Sequence, residues 1–320
     1  MPAGRTGPQH ISNEIELKMK VGYIGLGSMG GALAARLLLR HELTVYDQST
    51  TAVERLVEKG AVAAETPAAL GASCDVVFLC LPTSAHVREV IFGPVGLSGV
   101  LRAGSMIIDQ TTGDPDETRR LAKELASVGI ELIDAPVSGG IAGAQAGTIA
   151  IMVGASEEKF SRAFPLLESI SNNVYHAGEI GNGHVIKLVN NLLSMTQRLL
   201  SFEAMTLAAK NGVPPEKAVD ILIAGGGRNA YLERMMGPRI LKGELNVGFT
   251  LGLAHKDVRL ACQLGVDSGV PMFFGNLTRE LYQTFIAEKG PSSQVDTAAL
   301  IYDRLAGTTV VPTDSDQLEA

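Results

Sequence analysis

Cysteine is scarce in this chain of 320 residues: Cys74, Cys80 and Cys262 are an odd number, widely spaced, with no C-x-x-C pair. That excludes a disulfide framework and a zinc knuckle, and it fits a reducing compartment, the cytoplasm. Basic charge is also short. Lys and Arg number 27 against 34 Asp and Glu, a net charge of −7, so nucleic acid and anionic membrane surfaces find no general attraction here. No run approaches the ~18 apolar residues of a membrane span, and residues 1–18 lack the continuous apolar core of a signal peptide. The six histidines offer no pair with a carboxylate at metal-ligand spacing, so no metal is expected. His184 reads as isolated. No G-x-S-x-G elbow speaks for a hydrolase.

What the chain does have is glycine, 36 residues, and an apolar share of 46%, a globular composition at the size of about two domains. From residue 19, apolar runs of strand length (KVGYIG, LTVYD, CDVVFLCLP, SMIIDQT, IELIDAPV) alternate with segments of helical period. Continuous apolar strands separated by helices predict an α/β domain, a doubly wound parallel sheet of Rossmann type, over residues 19–181. TIAIMVG and NNVYHAG read as further strand material of the same domain. At Gly181-Asn182-Gly183 the alternation stops. Residues 184–210 contain no Pro or Gly and predict a helix of roughly 40 Å, apolar on nearly every face and therefore mostly buried. The remainder to residue 307, including AYLERMMGPRIL, reads as helical, giving an all-α domain over 182–307 joined to the first by this long interdomain helix. Residues 1–18 and 308–320 read as polar tails.

Gly25-Leu26-Gly27-Ser28-Met29-Gly30 is G-x-G-x-x-G between an apolar strand and a helix. Gly25 permits the turn, Gly27 admits a pyrophosphate to the backbone, and Gly30 lets helix and strand approach. The helix N-terminus then offers N–H groups and a positive dipole end to the phosphates. Asp47 lies 22 residues after Gly25, at the end of the second strand, where a carboxylate binds the adenosine ribose and repels the 2′-phosphate of NADP. NAD is favoured and NADP is possible. Lys187 and Asn191 share one face of the long helix at i, i+4. Burial and a positive neighbour would both lower a lysine's pKa toward the range of an acid–base catalyst; snorkelling to solvent is the equal alternative on spacing alone. Ser138-Gly139-Gly140 follows a strand and offers a nest for a carboxylate, although a plain turn is the better reading of that segment alone. Lys256-Asp257 by itself reads as a solvated charge pair. Gly225-Gly226-Gly227-Arg228-Asn229 is expected near the pocket, with Arg228 a candidate for a second carboxylate or a polyol.

VGYIGLGSMG, FLCLPTSAHVREV, DQTTGDP, DAPVSGG, GEIGNGHVIKLVNN and AHKDVRLA occur in this order across residues 19 to about 307. Together they resemble the β-hydroxyacid dehydrogenases, the group holding 3-hydroxyisobutyrate dehydrogenase and tartronate semialdehyde (2-hydroxy-3-oxopropionate) reductase. The resemblance implies an NAD(P)-dependent enzyme that moves hydride between nicotinamide and a small 3-hydroxy acid or its semialdehyde. It implies Gly25, Leu26, Gly27, Met29 and Gly30 around the coenzyme diphosphate, Asp47 on the ribose, Leu81 and Pro82 beside the coenzyme, and Thr112 near the nicotinamide ribose. Ser138, Gly139, Gly140 and Asn191 would bind substrate, Lys187 would be the catalytic acid/base, and Lys256 the second lysine, closing over the coenzyme site from the helical domain. Assembly as a homodimer or homotetramer through that domain is implied as well. Imine reductases share the architecture but usually replace the lysine that Lys187 resembles, and phosphogluconate dehydrogenases are longer. A non-catalytic NAD-binding sensor on the same fold is the alternative of another class.

Overall fold

Short runs of Val, Ile and Leu become the strands that the alternation predicts. The structure is a computed structural model that describes residues 19–312; the expected tail 1–18 and the stretch 313–320 lie outside the described residues. β1 (Val21–Ile24), β2 (Leu43–Tyr46), β3 (Val62–Ala63), β4 (Val76–Leu79), β5 (Met106–Asp109) and β6 (Glu131–Asp134) are parallel in the order β3-β2-β1-β4-β5-β6. Every residue of β1, β4 and β5 is buried, as strands covered on both faces must be. The order reverses between β1 and β4, and ligands of open α/β sheets bind at the carboxyl ends of the strands at such a switch point.

Beyond β6 the sheet is no longer wholly parallel. β7 (Val137–Ser138) runs antiparallel to β8 (Ala150–Gly154), β8 is antiparallel to β6, and β9 (Asn173–Gly178) is parallel to β8. β8 and β9 therefore run opposite to β1–β6 while β7 keeps their direction, with α6 (Gly140–Ala146) between β7 and β8 and α7 (Glu157–Ile170) between β8 and β9.

The helices of this half are α1 (Ser28–Leu38), α2 (Thr50–Val57), α3 (Pro67–Ser73), α4 (Ser84–Phe92) and α5 (Pro115–Ala126), with α6 and α7. Ser49, Thr66, Thr83, Asp114 and Ser156 cap α2, α3, α4, α5 and α7 with side-chain oxygens, which satisfies N–H groups that a helix start otherwise leaves open. Only α1 and α6 among these seven begin on glycines without a side-chain cap.

The described residues divide into two compact units that part between Lys187 and Leu188. The parting falls six residues into α8 (Asn182–Lys210), whereas the sequence suggested the break at the glycines before it. The second unit holds the rest of α8, α9 (Pro215–Ala224), α10 (Leu251–Ser268), α11 (Phe273–Lys289) and α12 (Ala298–Ala306), around a core that includes Phe202, Met205, Tyr231, Tyr282 and Phe285.

Three expectations change in this half. AYLERMMGPRIL is a π-helical turn at Leu232–Met236 and a 3-10 turn at Ile240–Lys242, because Pro238 lacks the N–H that a continuous helix needs. Val310 and Val311, in the stretch read as a polar tail, are buried, and both donate their N–H groups to Asp303 Oδ2. The long helix is not mostly buried either. Leu188, Met195, Leu199, Phe202 and Met205 face the core, while Leu193, Leu200 and Leu207 are exposed by 57%, 62% and 66%.

Candidate active site

The glycine turn is shaped as its motif requires. Gly25 has φ +95°, a conformation open to glycine, and a Cβ there would fall 2.3 Å from the Cys80 carbonyl oxygen. At Gly30 a Cβ would stand 2.0 Å from the Gly25 carbonyl oxygen, so the helix touches the turn with nothing to spare. Gly27 is the opposite case: a Cβ there meets nothing within 4 Å. The protein does not need that glycine for its own packing, and the open space lies beside the uncapped N-terminus of α1. A diphosphate fits those two facts, since it would fill the space and take the free N–H groups. Leu26 is different from its neighbours, with its side chain in the core. Met29 is half-buried against the same core.

Asp47 holds the turn together. Its Oδ2 accepts from Leu26 N at 2.6 Å and its Oδ1 from Ser49 N at 2.7 Å. A carboxylate has about four lone-pair sites, so capacity for ribose hydroxyls is left over. Across the switch point, Leu81 N donates to Thr111 Oγ1 at 3.0 Å, which ties the chain after β4 to the chain after β5. Leu81 and Thr112 are half-buried and Pro82 is exposed, so the segments assigned to the coenzyme present surface at the carboxyl edge of the sheet.

Lys187 is 8% exposed. Burial pushes the Cys80 thiol up to about 12, Asp109 adds to that, and the Tyr23 hydroxyl and the Lys187 charge pull it back. Since a Cβ on Gly30 would come 3.0 Å from Cys80 Cβ, this one cysteine lies against the glycine turn and within the electrostatic reach of Lys187. The helix carrying Lys187 is held at its start by Asp134, which is fully buried at the end of β6. Its Oδ1 accepts from Gly181 N at 2.7 Å and its Oδ2 from His184 N at 2.7 Å, a carboxylate placed on the positive end of the helix dipole. Gly183 permits the contact, because a Cβ there would be 2.8 Å from Asp134 Oδ2 and 2.4 Å from the Met152 carbonyl oxygen.

His184, read from the sequence as isolated, is fully buried. Its Nε2 lies 2.7 Å from the Thr111 carbonyl oxygen and its Nδ1 2.9 Å from Thr118 Oγ1.

Ser138 ends β7 and is half-buried, and Gly139 and Gly140 are exposed. Both glycines hold positive φ, +142° and +71°, and a Cβ on Gly140 would meet nothing within 4 Å. The segment leads into α6, the other helix of this unit that begins without a side-chain cap. In the second unit, Asn191 Nδ2 donates to Asp257 Oδ2 at 2.6 Å, and Lys256 Nζ stands 3.1 Å from Asp257 Oδ1. Asp257 is 2% exposed, so Lys256-Asp257 is not a solvated pair: a buried carboxylate aligns both the Asn191 amide and the lysine. The Arg228 guanidinium is ion-paired with Glu233, which leaves the expected contact with a second carboxylate without support. No group of three or more His, Cys, Asp or Glu side chains among the described residues could hold a metal.

Residues 20–178 match the family model of the NAD binding domain of 6-phosphogluconate dehydrogenase, and residues 181–302 match that of the NADP-dependent 3-hydroxyisobutyrate dehydrogenase. The chain belongs to the β-hydroxyacid dehydrogenase family. Among relatives of this family, 2-(hydroxymethyl)glutarate dehydrogenase of Eubacterium barkeri is 35% identical over 298 residues, 92% of this chain and 99% of that one. The 2-hydroxy-3-oxopropionate reductase of Escherichia coli is 35% identical over 284 residues, covering 88% and 96%. Of solved structures, the Mycobacterium tuberculosis 3-hydroxyisobutyrate dehydrogenase superposes with a TM-score of 0.79 at 27% identity, over 89% of this chain and 99% of that one. As a β-hydroxyacid dehydrogenase the chain is an NAD(P)-dependent oxidoreductase.

Proposed function

We propose that the enzyme interconverts a small 3-hydroxy acid and its semialdehyde, of the 3-hydroxyisobutyrate or 2-hydroxy-3-oxopropionate type, with Lys187 as general acid and base. One observation carries this reading. Lys187 is buried, and it lies in electrostatic reach of Cys80, the residue packed directly beneath the Gly25–Gly30 turn. The names of relatives that act on hydroxy acids and semialdehydes support the substrate class.

A nicotinamide coenzyme, when bound, would supply or accept the hydride. The chain does the rest. Ser138, Gly139 and Gly140 take the substrate carboxylate, with Asn191 as a further substrate ligand, and Lys256 binds the coenzyme. In oxidation Lys187 Nζ accepts the hydroxyl proton; in reduction it returns a proton to the carbonyl oxygen as charge develops there. Fixing the carboxylate at one end of a small molecule also fixes the carbon that reacts, which is the positioning contribution. Asp47 favours NAD, three free cysteines suit the cytoplasm, and assembly is as a homodimer or homotetramer.

Lys187→Ala tests the reading. Turnover of 3-hydroxyisobutyrate with NAD, and of 2-hydroxy-3-oxopropionate with NADH, is expected to fall by at least about 10²-fold, the contribution of a positioned general acid or base. NADH binding followed by fluorescence is expected to stay within about threefold, because uniform binding is not what the lysine supplies. Equal activity in that variant removes Lys187 from the chemistry. A wild-type protein that binds NAD tightly yet turns over no small 3-hydroxy acid or semialdehyde would be a sensor instead.

A further inference from the structure

The start of α8 is tied down in two different ways, and only one of them is an ordinary helix cap. Asp134 accepts from the main-chain N–H groups of Gly181 and His184. Both bonds end on one carboxylate at the tip of the helix, so together they make a pivot. Gly181, with φ +89°, leaves the chain before the pivot free of Cβ strain. A second tie is made by a side chain that stands off the axis.

That side chain is His184. A carbonyl oxygen only accepts, so Nε2 carries a hydrogen and donates to the Thr111 carbonyl at 2.7 Å. On the other side Nδ1 meets Thr118 Oγ1 at 2.9 Å, and Thr118 Oγ1 is also 3.0 Å from the Asp114 carbonyl. Gly113 leaves room for the ring, since a Cβ there would be 3.1 Å from His184 Cε1. Thr111 in turn has every polar group engaged: its N–H donates to Asp109 Oδ1 at 2.9 Å and its hydroxyl accepts from Leu81 N at 3.0 Å. The imidazole therefore joins the helix of Lys187 to the paired segments that carry Leu81, Pro82 and Thr112. Lys187 follows His184 by three residues, one turn and a rise of about 4.5 Å.

We propose that His184 is a positioning residue, which sets the place of the Lys187 amine relative to the coenzyme segments by its hydrogen bond to the Thr111 carbonyl. This rests on the reading of Lys187 as the acid/base. Proton and hydride transfer in one step need both partners at near-attack distance, and a displacement of about 1 Å costs on the order of 10²-fold in rate without changing which ligands bind.

The test compares three variants of the full-length enzyme on whichever of 3-hydroxyisobutyrate with NAD or 2-hydroxy-3-oxopropionate with NADH the wild type turns over. In His184→Gln the side-chain amide reaches the place of Nε2 and can donate to Thr111. In His184→Asn the amide reaches only the place of Nδ1. His184→Ala has neither. The expected result is a kcat lower by about 30- to 100-fold in the Ala and Asn variants, with KM and NADH affinity within about threefold, and recovery to within about fivefold of wild type in the Gln variant. If the Ala variant does not fold, the Gln and Asn pair decides. Equal kcat in Gln and Asn, a kcat near wild type in Ala or in Asn, or a loss that sits in KM rather than kcat would overturn the proposal. Lys187→Ala run alongside separates the two ideas. An inactive Lys187→Ala beside a fully active His184→Ala fells this inference alone; an active Lys187→Ala fells the acid/base reading, and this inference with it.

Discussion

Asp47 has two jobs at the same carboxylate, and they can be separated by experiment. It holds Leu26 N and Ser49 N, and in the function proposed above it would also meet the adenosine ribose, where the 2′-phosphate of NADP arrives. Two unit charges 4 Å apart near a protein surface repel by about 4 kcal/mol before screening, enough for a large preference. Asp47→Ser keeps a small oxygen acceptor but removes the charge. The ratio of kcat/KM for NADH over NADPH is expected to fall by at least about 100-fold, and an unchanged ratio would show that another residue sets the choice. Cys80 gives a second prediction at this scale. With its thiol pushed up to about 12 by burial and by Asp109, the thiolate fraction at pH 8 is about 10⁻⁴, and the thiolate is the species that reacts. Iodoacetamide at pH 8, followed by peptide mass spectrometry, should leave Cys80 unmodified in the folded protein and alkylate it in urea. Rapid labelling of the folded protein would contradict the raised thiol pKa. Legibility at this scale depended on distance along the chain. Asp47 could be placed because it follows a local motif by a fixed interval. His184 could not, because its partners Asp134, Thr118 and Thr111 lie 50, 66 and 73 residues away, and no pattern around His184 points to them. Asp257 was missed for the same reason, with Asn191 66 residues distant.

At the scale of elements, the G-x-G-x-x-G turn makes different demands on its glycines. Gly30 serves the fold: a methyl group there meets backbone at 2.0 Å, and backbone does not yield as a flexible side chain does. Gly27 does not serve the packing: a methyl group there meets nothing within 4 Å, and the proposed diphosphate site gives the glycine its use. Gly30→Ala is therefore expected to cost about 1–3 kcal/mol through overpacking, a loss in Tm of roughly 2–12 °C for a domain of this size. Gly27→Ala should melt within about 2 °C of wild type while NADH affinity falls by tenfold or more, about 1.4 kcal/mol. Calorimetry and fluorescence titration on the two variants check this. Equal melting of both, or undiminished NADH binding by Gly27→Ala, would refute the division of labour. Most strands and helices of the first half were readable because each is a short apolar run or a periodic segment bounded by Gly, Pro or a capping residue; β3, two exposed residues, and the seven-residue α3 and α6 were not, being too short to show a period. The direction of β8 was not, since its antiparallel bridge to β6 at Asp134 and Gly154 depends on which edge the chain reaches, not on the residues of the strand. The π turn at Leu232–Met236 was hidden as well, because its apolar spacing resembles that of a helix.

On the scale of the whole molecule, one apolar face of α8 is left uncovered among the described residues. Leu193, Leu200 and Leu207 recur every seven residues and are more than half exposed, and a seven-residue repeat keeps side chains on one face over several turns. Composition along α8 showed apolar residues on every side, but only the packed core revealed which side the chain leaves open. No helix among the described residues is long and apolar enough to cross a membrane. We propose a second copy of the chain as the partner of this face, because a helix face can pair with its own image across a two-fold axis and bury the same residues on both sides. Each leucine removed from water contributes about 1.5–3 kcal/mol, and three on each of two faces are sufficient for association at micromolar concentration. Wild-type protein is expected to elute as a dimer or tetramer by light scattering. Leu193→Glu with Leu200→Glu should shift it to monomer, since burying four carboxylates in a two-fold contact costs more than the remaining leucines return. NADH binding should survive in that double variant because the glycine turn lies in the first unit, and neither substitution touches a residue assigned to the coenzyme. A monomeric wild type at 10 µM, or a double variant that still assembles, would move the interface off this helix. The surviving explanation for the leucine stripe would then have to be sought in a different partner.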